Sequence, residues 1–287
     1  MNIQRFIDAR LAAGLTQEEL AQGIATQATL SRFESGGKIP SIKILTKLVN
    51  RLDISLADLF AVEETSAERV IRTKLAAAEY NLIISEYVAA DEILHELDTM
   101  AIDQIDLRDW YVFVRSYVDI LSEQNIERAI LRLNAIVIDA AEHAEIYLYL
   151  AYTGLGMAYA RQNNVAQAEQ YFERSFENVM SLQNEHARTV WRKLSILFYT
   201  AEFFSAHDIE TSDLLLKALV DLVSDQHVTY YLARAVYLQA QNAIKRNASD
   251  DLIHELLRDA YAFSKINRNT VELEAIEKLL ASKQFKA

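Results

Sequence analysis

Helix-breaking residues are almost absent from this chain after its first 40 residues. The single proline is Pro40, and the only glycines beyond Gly37 are Gly154 and Gly156. Because proline and glycine are the strongest interrupters of regular structure, the chain is predicted to be helical nearly throughout. Hydrophobic residues form 51% and charged residues 24% of the sequence, which is the balance of a globular protein. The fold class is therefore predicted to be all-α.

Two short capped helices are predicted between Thr16 and Ser41. Thr16 and Glu19 have the spacing of a capping box, in which each side chain satisfies a free backbone N–H at the start of a helix. Thr26 caps a second helix, and Gly36-Gly37 ends it because glycine tolerates a left-handed conformation. Two helices with a tight connection form the helix-turn-helix motif, whose second helix enters the major groove of DNA.

Further helices are predicted on both sides of this motif. Apolar spacing indicates a first helix over residues 2–13, and Ser55 caps a short helix around Leu56 to Phe60. Ser41 caps the remaining helix, whose inward residues are predicted to be Ile42, Leu45, Leu48 and Val49. The polar break from Ala61 to Ser66 places the end of this five-helix domain at residue 64.

The motif also carries a family resemblance. LTQEELA, followed by LSRFESG and by Pro40-Ser41, resembles the Xre-type, lambda-repressor-like helix-turn-helix domain, and LDISLADLF from Leu52 to Phe60 resembles its ending. The short connection between Ile24 and Leu30, together with SRFESG, resembles the Rgg/PlcR group of peptide-pheromone regulators. The first resemblance covers about the first quarter of the chain, and the second depends also on the helices that follow.

The second part of the chain contains a repeat. In LGMAYARQNNVAQAEQYFERS, which starts at Leu155, Gly156, Tyr159, Ala168 and Phe172 have the spacing of the tetratricopeptide repeat. In such repeats, small residues let paired helices approach closely and aromatic residues fill the space between them. This segment predicts one helix pair of an α-solenoid.

Weaker copies of the pattern flank this segment at centres about 39 to 44 residues apart, which exceeds the standard 34. A last helix, Thr270 to Ser282, would cap the stack. Residues 65–287 are therefore predicted to form a right-handed, tetratricopeptide-like solenoid of about five repeats. The positions that carry the weaker copies are Tyr80, Ala89 and Ile93; Trp110, Tyr117, Ala129 and Leu133; Trp191, Tyr199, Ser212 and Leu216; and Tyr237, Leu252 and Leu256.

The charge is unevenly distributed. The chain carries a net charge of −12, yet residues 1–64 hold seven basic and eight acidic side chains, so the acidity belongs to the second part. The first domain lacks the overall basic charge that many DNA-binding domains have. Binding to DNA is therefore expected to use a local basic patch and two copies of the domain. The patch consists of Arg32, Lys38, Lys43 and Lys47.

Several function classes are disfavoured. The six histidines are scattered and form no metal-binding spacing, and the chain has no cysteine, phosphate loop or GxSxG elbow. We therefore expect neither an enzyme nor a metal or cofactor. The charged start of the chain does not resemble a signal peptide. The longest stretch nearly free of charge, Ile146 to Ala160, is shorter than a membrane span, and a cytoplasmic location is expected.

The second motif helix carries the candidate base-reading residues. Gln27 matches the hydrogen-bonding edge of adenine, Arg32 matches guanine or a phosphate, and Ala28 or the Thr29 methyl can contact a thymine methyl. A surface ion pair is the alternative role for Arg32. By the Xre-type resemblance, Gln17 contacts a DNA phosphate. The full set of DNA-binding candidates is Gln17, Thr26, Gln27, Ala28, Thr29, Arg32, Lys38, Ser41 and Lys43.

Two charged residues of the first domain are assigned a structural role instead. By the same resemblance, Arg10 and Glu34 form an ion pair that joins the first helix to the third.

The concave side of a solenoid, built from the first helix of each repeat, can bind an extended peptide through polar and aromatic side chains. Core packing is the alternative role for each aromatic residue there. The peptide-binding candidates are Arg115, Tyr152, Arg188, Arg192, Tyr199 and Asn242.

The Rgg/PlcR resemblance, taken over nearly the full length, implies a dimeric transcription regulator. Such a protein would bind a palindromic double-stranded operator and a short signalling peptide. Two other interpretations stay open. The repeats could bind a protein partner instead of a peptide, or the chain could be an interaction scaffold whose first domain does not bind DNA.

Overall fold

The computed structural model describes residues 3–52, 54, 56, 59, 65–177, 179–183 and 187–281. Every regular element within these residues is helical, which confirms the all-α fold class. The chain divides into two compact units, Met1–Arg69 and Val70–Ala287.

The first unit contains four helices within the described residues. They pack around a small core that includes Phe6 and Phe33, whose rings meet edge to face at 5.1 Å. The fifth helix predicted around Leu56 to Phe60 lies largely outside the described residues. The four helices are α1 (Ile3–Ala12), α2 (Gln17–Ala21), α3 (Gln27–Glu34) and α4 (Ile42–Arg51).

One predicted core residue of α4 is wrong. Leu45, Leu48 and Val49 are buried, but Ile42 is 72% exposed. Ile42 is the first residue of α4, beside the exposed Ser41 cap. The apolar spacing is correct there, but the helix reaches the core only from its second turn.

The second unit is a solenoid of consecutive helix pairs followed by a last helix, and its first helix begins at Ser66, four residues before the division between the units. In each pair the first helix faces the core along most of its length, as its many buried residues show. Short 3₁₀ turns cover Thr99–Ala101, Ala140–Glu142 and Val179–Ser181. The pairs are α5 (Ser66–Ile83) with α6 (Tyr87–His95), α7 (Ile105–Leu121) with α8 (Ile126–Ile138), α9 (Glu145–Arg161) with α10 (Val165–Phe176), α11 (Ala187–His207) with α12 (Ile209–Asp225), and α13 (Leu232–Lys245) with α14 (Asp250–Ile266); α15 (Thr270–Ala281) follows them.

The central helix pair packs as its sequence predicts. A Cβ atom added at Gly156 of α9 would lie 2.9 Å from the ring of Phe172 on α10. A Cβ added at Gly154 would lie 2.7 Å from Leu133 of α8 and 3.0 Å from Tyr117 of α7. The two glycines therefore allow α9 to approach both its own partner helix and the preceding repeat.

The outer repeats differ from the predicted register by one residue. In α6 the buried residues are Ala90 and Leu94 rather than Ala89 and Ile93. In α14, Ile253 and Leu257 are buried, whereas Leu252 is 41% exposed and Leu256 is only partly buried. Each predicted residue is followed by another apolar residue, so a register shifted by one has the same four-residue spacing. The sequence pattern fits both registers, and packing determines which residues are buried.

The solenoid closes on itself. The hydroxyl of Tyr80 on α5 donates to the carbonyl oxygen of Asn267, just after α14, at 3.3 Å. At the same seam, the Thr270 hydroxyl of α15 donates to the carboxylate of Glu86 at 3.2 Å. The first repeat therefore contacts the end of the last one. Across the part of the chain that the structure describes, no helix combines the length and hydropathy that a membrane span needs.

Candidate nucleic-acid interface and solenoid interior

Local hydrogen bonds hold α2 and α3 at their starts. The capping box at α2 is complete, because Thr16 N donates to Glu19 Oε2 at 2.7 Å and Glu19 N donates to Thr16 Oγ1 at 3.2 Å. The backbone N–H and the hydroxyl of Thr16 both donate to the Glu19 carboxylate, and these two bonds lower the pKa of Glu19. At α3, Thr29 N donates to Thr26 Oγ1 at 3.2 Å. The predicted caps at Thr16 and Thr26 are confirmed.

The end of α3 is a two-bond glycine cap. Gly36 has a φ of +79°, and its N–H donates to the carbonyl of Phe33 at 3.0 Å. The N–H of Gly37 donates to the carbonyl of Arg32 at 2.8 Å. This pair of bonds defines a Schellman motif, which satisfies the last carbonyls of the helix. α3 is therefore a short, capped helix at both ends.

A chain of side-chain hydrogen bonds runs from the core of the first unit to the surface of α3. Arg10 Nε and Nη2 donate to the two carboxylate oxygens of Glu34 at 2.7 and 2.9 Å, which confirms the predicted ion pair. Gln17 Nε2 donates to Glu34 Oε2 at 2.8 Å, and Gln27 Nε2 donates to Gln17 Oε1 at 3.0 Å. The buried ion pair thereby orients Gln17, and Gln17 orients Gln27.

This chain leaves one edge of the Gln27 amide available. An amide side chain has two N–H donors and a carbonyl acceptor, and only one donor of Gln27 is used by Gln17. The remaining N–H and the carbonyl match the N7 acceptor and N6 donor of adenine. Gln17 likewise has one N–H that Glu34 does not use, and an N–H of this kind can donate a hydrogen bond to a phosphate oxygen. The bond to Gln17 therefore holds the Gln27 side chain in place while one N–H and the carbonyl of its amide stay available to a further partner.

The other DNA-binding candidates lie around Gln27. Ala28 and Arg32 are exposed on α3, and Thr29 is partly buried beneath them. The hydroxyls of Thr26 and Ser41 serve as helix caps, although both residues are exposed. The predicted basic patch is exposed at all four positions, namely Arg32, Lys38, Lys43 and Lys47.

Sequence analysis did not identify Arg51 as part of this site. Its Nη1 donates to the carbonyls of Leu20 at 3.0 Å and Gln22 at 2.6 Å. Both carbonyls belong to the end of α2, just before the connection to α3. An arginine in the last turn of α4 carries no motif signal, because its role depends on two helices packing together.

Inside the solenoid, two of the peptide-binding candidates lie together. Arg188 and Arg192 are one turn apart on α11. The guanidinium of Arg188 stacks on the ring of Trp110 at 3.9 Å, and that of Arg192 lies over Tyr147 at 4.5 Å and Trp110 at 5.5 Å. Two cations thus share an aromatic platform formed by α7 and α9.

A buried carboxylate from the first repeat faces this pair. Glu79 of α5 is 3% exposed, and its Oε1 lies 3.6 Å from Arg192 Nε. Burial raises the pKa of Glu79, and Arg192, Arg188 and the Trp110 indole N–H partly oppose that shift. Sequence analysis missed Glu79, although it lies four residues after Leu75 on the apolar face of α5, where a carboxylate is unexpected.

Tyr199 lies further along α11 and is part of the core. It is 1% exposed and contacts the rings of Tyr117 at 5.6 Å and Phe198 at 5.3 Å. Its hydroxyl accepts a hydrogen bond from Arg234 Nη1 at 3.3 Å. Burial raises the pKa of Tyr199. Arg234, which stacks on Phe198 at 4.1 Å, was not among the candidates.

The other three candidates are engaged elsewhere. Arg115 pairs with Asp91 of α6 at 2.6 Å and with Asp119 of its own helix. Tyr152 is partly buried and contacts the ring of Tyr171 at 6.2 Å within the same repeat. Each has partners in or near its own repeat, and neither shares a contact with the Arg188–Arg192 pair.

Asn242 is fully buried, with both ends of its amide bonded. Its oxygen accepts from Ser205 Oγ at 2.6 Å, and its nitrogen donates to Ser212 Oγ at 3.0 Å and Asp213 Oδ1 at 2.9 Å. These bonds join α13 to α11 and α12. In this structure its side chain holds repeats together.

Comparisons with known proteins agree with this architecture. Residues 7–59 match the family model described as Helix-turn-helix (HTH_3). No curated protein sequence matches the chain.

Solved structures match it over nearly its whole length. Bacillus thuringiensis PlcR, in complex with the peptide PapR7 and DNA, is 17% identical with a TM-score of 0.78, over 98% of this chain and 99% of PlcR. ComR from S. thermophilus, in complex with DNA and its signalling peptide ComS, is 15% identical with a TM-score of 0.66, over 96% of each chain. The Streptococcus dysgalactiae SHP pheromone receptor Rgg2 is 13% identical with a TM-score of 0.59, over 96% of this chain and 98% of Rgg2.

These matches define the class of protein by its fold. The chain joins an N-terminal helix-turn-helix domain to a helical-repeat solenoid. Over nearly its full length it has the fold of the Rgg/PlcR-type regulators.

Proposed function

We propose that this protein is a sequence-specific DNA-binding transcription regulator controlled by a short signalling peptide. The observation that carries the DNA-binding part is the chain of bonds from Arg10 through Glu34 and Gln17 to the exposed Gln27. It holds a base-reading amide on the surface of a capped helix, next to exposed basic side chains. A scaffold that does not bind DNA would use the Arg10–Glu34 pair to join α1 to α3, but it would not need the further bond between Gln17 and Gln27.

The peptide part is supported by full-length likeness in fold to receptors bound to peptides. PlcR was solved with PapR7 and ComR with ComS, both also with DNA. The interior of the solenoid offers aromatic and cationic side chains suited to a short peptide, at Arg188, Arg192 and Trp110. The proposal includes a cytoplasmic homodimer on a palindromic operator, and it includes no catalytic activity.

Control of DNA binding by a peptide requires coupling between two sites. A ligand shifts an equilibrium only by its different affinities for the two forms. Coupling is typically about 1–3 kcal/mol and must act in both directions. Operator DNA should therefore change peptide affinity by the same factor by which the peptide changes DNA affinity.

The DNA-binding part is tested by selection of random duplexes with the full-length protein, followed by sequencing. We expect enrichment of a palindrome whose half-sites are about one helical turn or more apart. Sedimentation of the protein with and without the selected duplex should show one dimer per palindrome. Selection that enriches no sequence would refute the proposal.

The peptide-binding part is tested by capture of small peptides from the native cell on the immobilised full-length protein, read by mass spectrometry. A captured peptide is then synthesised, labelled and titrated with and without the selected duplex. We expect its affinity to differ between the two titrations by the reciprocal factor. A stoichiometrically captured folded protein, with no peptide, would favour a protein partner instead.

A further inference from the structure

The Glu79–Arg192 pair is an incomplete buried network. The distance between Glu79 Oε1 and Arg192 Nε, 3.6 Å, is too long for a hydrogen bond. Within the described residues, four buried atoms around it have no hydrogen-bond partner of normal geometry, namely Glu79 Oε2, Trp110 Nε1, Arg192 Nε and Arg192 Nη2. The three side chains are at least nine-tenths buried.

Such a network is costly. Taking a carboxylate and a guanidinium out of water is repaid only when their geometry is good and their remaining donors and acceptors are bonded. Here three buried N–H donors, on Trp110 Nε1, Arg192 Nε and Arg192 Nη2, have no acceptor within the described residues. Arg188 adds a second guanidinium on the same Trp110 ring, and burial lowers its pKa, while Glu79 opposes that shift. One buried carboxylate thus faces two cations.

We propose that Arg188 and Arg192 form a carboxylate-binding subsite and that Glu79 acts as its internal competitor. A ligand carboxylate would accept hydrogen bonds from the guanidiniums of Arg188 and Arg192, with the indole N–H of Trp110 as a further donor. Glu79 now lies in that place without making those bonds. A carboxylate on a flexible ligand can adopt the geometry that Glu79, fixed on α5, does not reach.

Displacement of Glu79 also acts on the closed solenoid. Glu79 belongs to the first repeat and Arg192 to the fourth, so their pair joins two repeats that are far apart in the sequence. Loss of the pair removes an attraction that holds α5 against α11, at the helix that also carries the Tyr80 seam bond. Carboxylate binding in the interior thereby favours a more open form.

The subsite deepens the proposed function, on which its occupant depends. Two parts of a peptide supply a carboxylate, its C-terminus and an acidic side chain, and both have the chemistry that two guanidiniums recognise. N-acetyl-leucine presents only an α-carboxylate, whereas N-acetyl-aspartic acid α-amide presents only a side-chain carboxylate. Titration with these two compounds distinguishes the sources.

The subsite itself is tested by rescue with acetate. Glu79→Ala leaves space beside the two arginines, and we expect acetate to raise the Tm of the full-length variant saturably at constant ionic strength. Acetamide, which has the same shape without the charge, should give less than a tenth of that shift. Wild type and the exposed-pair control Glu96→Ala should respond to acetate no more than to chloride. Glu79→Ala combined with Arg192→Ala should lose the response.

An equal response of Glu79→Ala to acetate and acetamide would overturn the proposal. If Glu79→Ala does not fold, Glu79→Gln replaces it, because glutamine keeps the volume of the side chain without its charge. Calorimetry should then show that N-acetyl-leucine or N-acetyl-aspartic acid α-amide binds to Glu79→Gln at least tenfold more tightly than to wild type. Equal affinities would equally overturn the proposal.

These experiments use neither DNA nor a native peptide. A failure of peptide capture together with acetate rescue would refute the proposed regulation and leave the subsite standing. A captured peptide that binds Glu79→Gln and wild type equally would support the regulation and refute the subsite.

Discussion

Arg10–Glu34 in the first unit and Arg192–Glu79 in the second are both ion pairs between helices with little exposure, but their geometry differs. Arg10 meets Glu34 through two hydrogen bonds of 2.7 and 2.9 Å and donates a third to the carbonyl of Leu15 at 2.8 Å. Glu34 also accepts from Gln17. The nearest approach between Arg192 and Glu79 is 3.6 Å, and three of their polar atoms have no hydrogen-bond partner within the described residues.

The difference separates two uses of buried charge. A fully bonded network fixes side chains in one arrangement, as a base-reading surface requires. In an incompletely bonded network, the hydrogen bonds do not offset the desolvation of the buried charges. A competing ligand that makes the missing bonds can therefore replace one of the side chains. The network of the first unit therefore holds the side chains that we propose to read DNA, and the network in the solenoid interior leaves polar atoms without partners.

The largest expected effect comes from breaking the complete network. Arg10→Met leaves the Glu34 carboxylate buried without its partner, which should lower the free energy of unfolding of the first unit by about 3 kcal/mol. Urea unfolding of the full chain, followed by a probe in the first unit, measures the change. The double variant Arg10→Met with Glu34→Leu should recover most of the loss, because both charges are then removed. If Arg10→Met lowers the free energy of unfolding by less than about 1 kcal/mol, the Arg10–Glu34 pair does not have the complete bonding that distinguishes it from the Arg192–Glu79 pair.

The second prediction separates base reading from phosphate binding on the rigid surface. Gln27→Ala should reduce discrimination at one base position by about 1–3 kcal/mol. Lys43→Ala, an exposed basic residue, should instead weaken binding to all sequences and lower the salt slope by about one unit. Binding of the selected duplex and its single-base variants at several salt concentrations measures both. Unchanged discrimination in Gln27→Ala would contradict the role of the Gln17–Gln27 bond.

The third prediction concerns pH and the incomplete pair. Burial raises the pKa of Glu79 above its usual 4.5, so the folded protein keeps this proton in a pH range where the unfolded chain has lost it. Stability is therefore lost as pH rises through that range. Glu79→Gln does not titrate, so its stability relative to wild type should increase from pH 4.5 upward, by about 1.4 kcal/mol for each unit of the pKa difference.

Urea unfolding at a series of pH values measures this relative stability. Glu96→Gln is the matched control, because Lys74 lowers the pKa of the exposed Glu96. Its relative stability should change weakly in the opposite direction. A pH-independent difference between Glu79→Gln and wild type would show that the buried carboxylate pays no desolvation cost.

The smallest expected effect is at the seam of the solenoid. Tyr80→Phe removes the hydroxyl that bonds to the Asn267 carbonyl, which should cost about 0.5 kcal/mol because the residue is partly exposed. Hydrogen exchange should rise near the end of α5 and around residues 266–270 without changing in α9. Tyr261→Phe, whose hydroxyl makes a bond of 3.5 Å to Glu277 away from the seam, is the control. Equal exchange in both variants would mean that the seam does not hold the first repeat.

Much of the first unit could be predicted from sequence because its determinants are local. The cap side chains of Thr16, Thr26 and Ser41 each bond to a backbone N–H three residues later in the chain. The hydrogen bonds of the glycines that end α3 reach back no more than five residues. The Arg10–Glu34 pair is not local, and its prediction came from a family resemblance. Arg51 was missed because its partners are carbonyls of another helix, and carbonyls leave no signal in the sequence.

In the solenoid, prediction succeeded where the pattern was unambiguous. Gly156 and Phe172 allow one register only, because a larger residue at Gly156 meets the ring. In the first and last repeats, neighbouring apolar pairs such as Ala89-Ala90 permitted two registers. The interior candidates were chosen by residue type and helix. Their contacts with other repeats, such as that of Asn242 with Ser205, could not be read from spacing.

The sequence by itself determined that this chain forms capped and amphipathic helices, where the helices of the first unit begin, and that a helix-turn-helix precedes a stack of helix pairs. These properties depend on interactions within a few residues and on the 3.6-residue period. Only the tertiary structure decided that the first repeat meets the last, and that Glu79 faces Arg188 and Arg192. Small rotations between successive repeats add along a solenoid. Contacts between distant repeats therefore depend on the sum of all the interfaces between them, which no local pattern specifies.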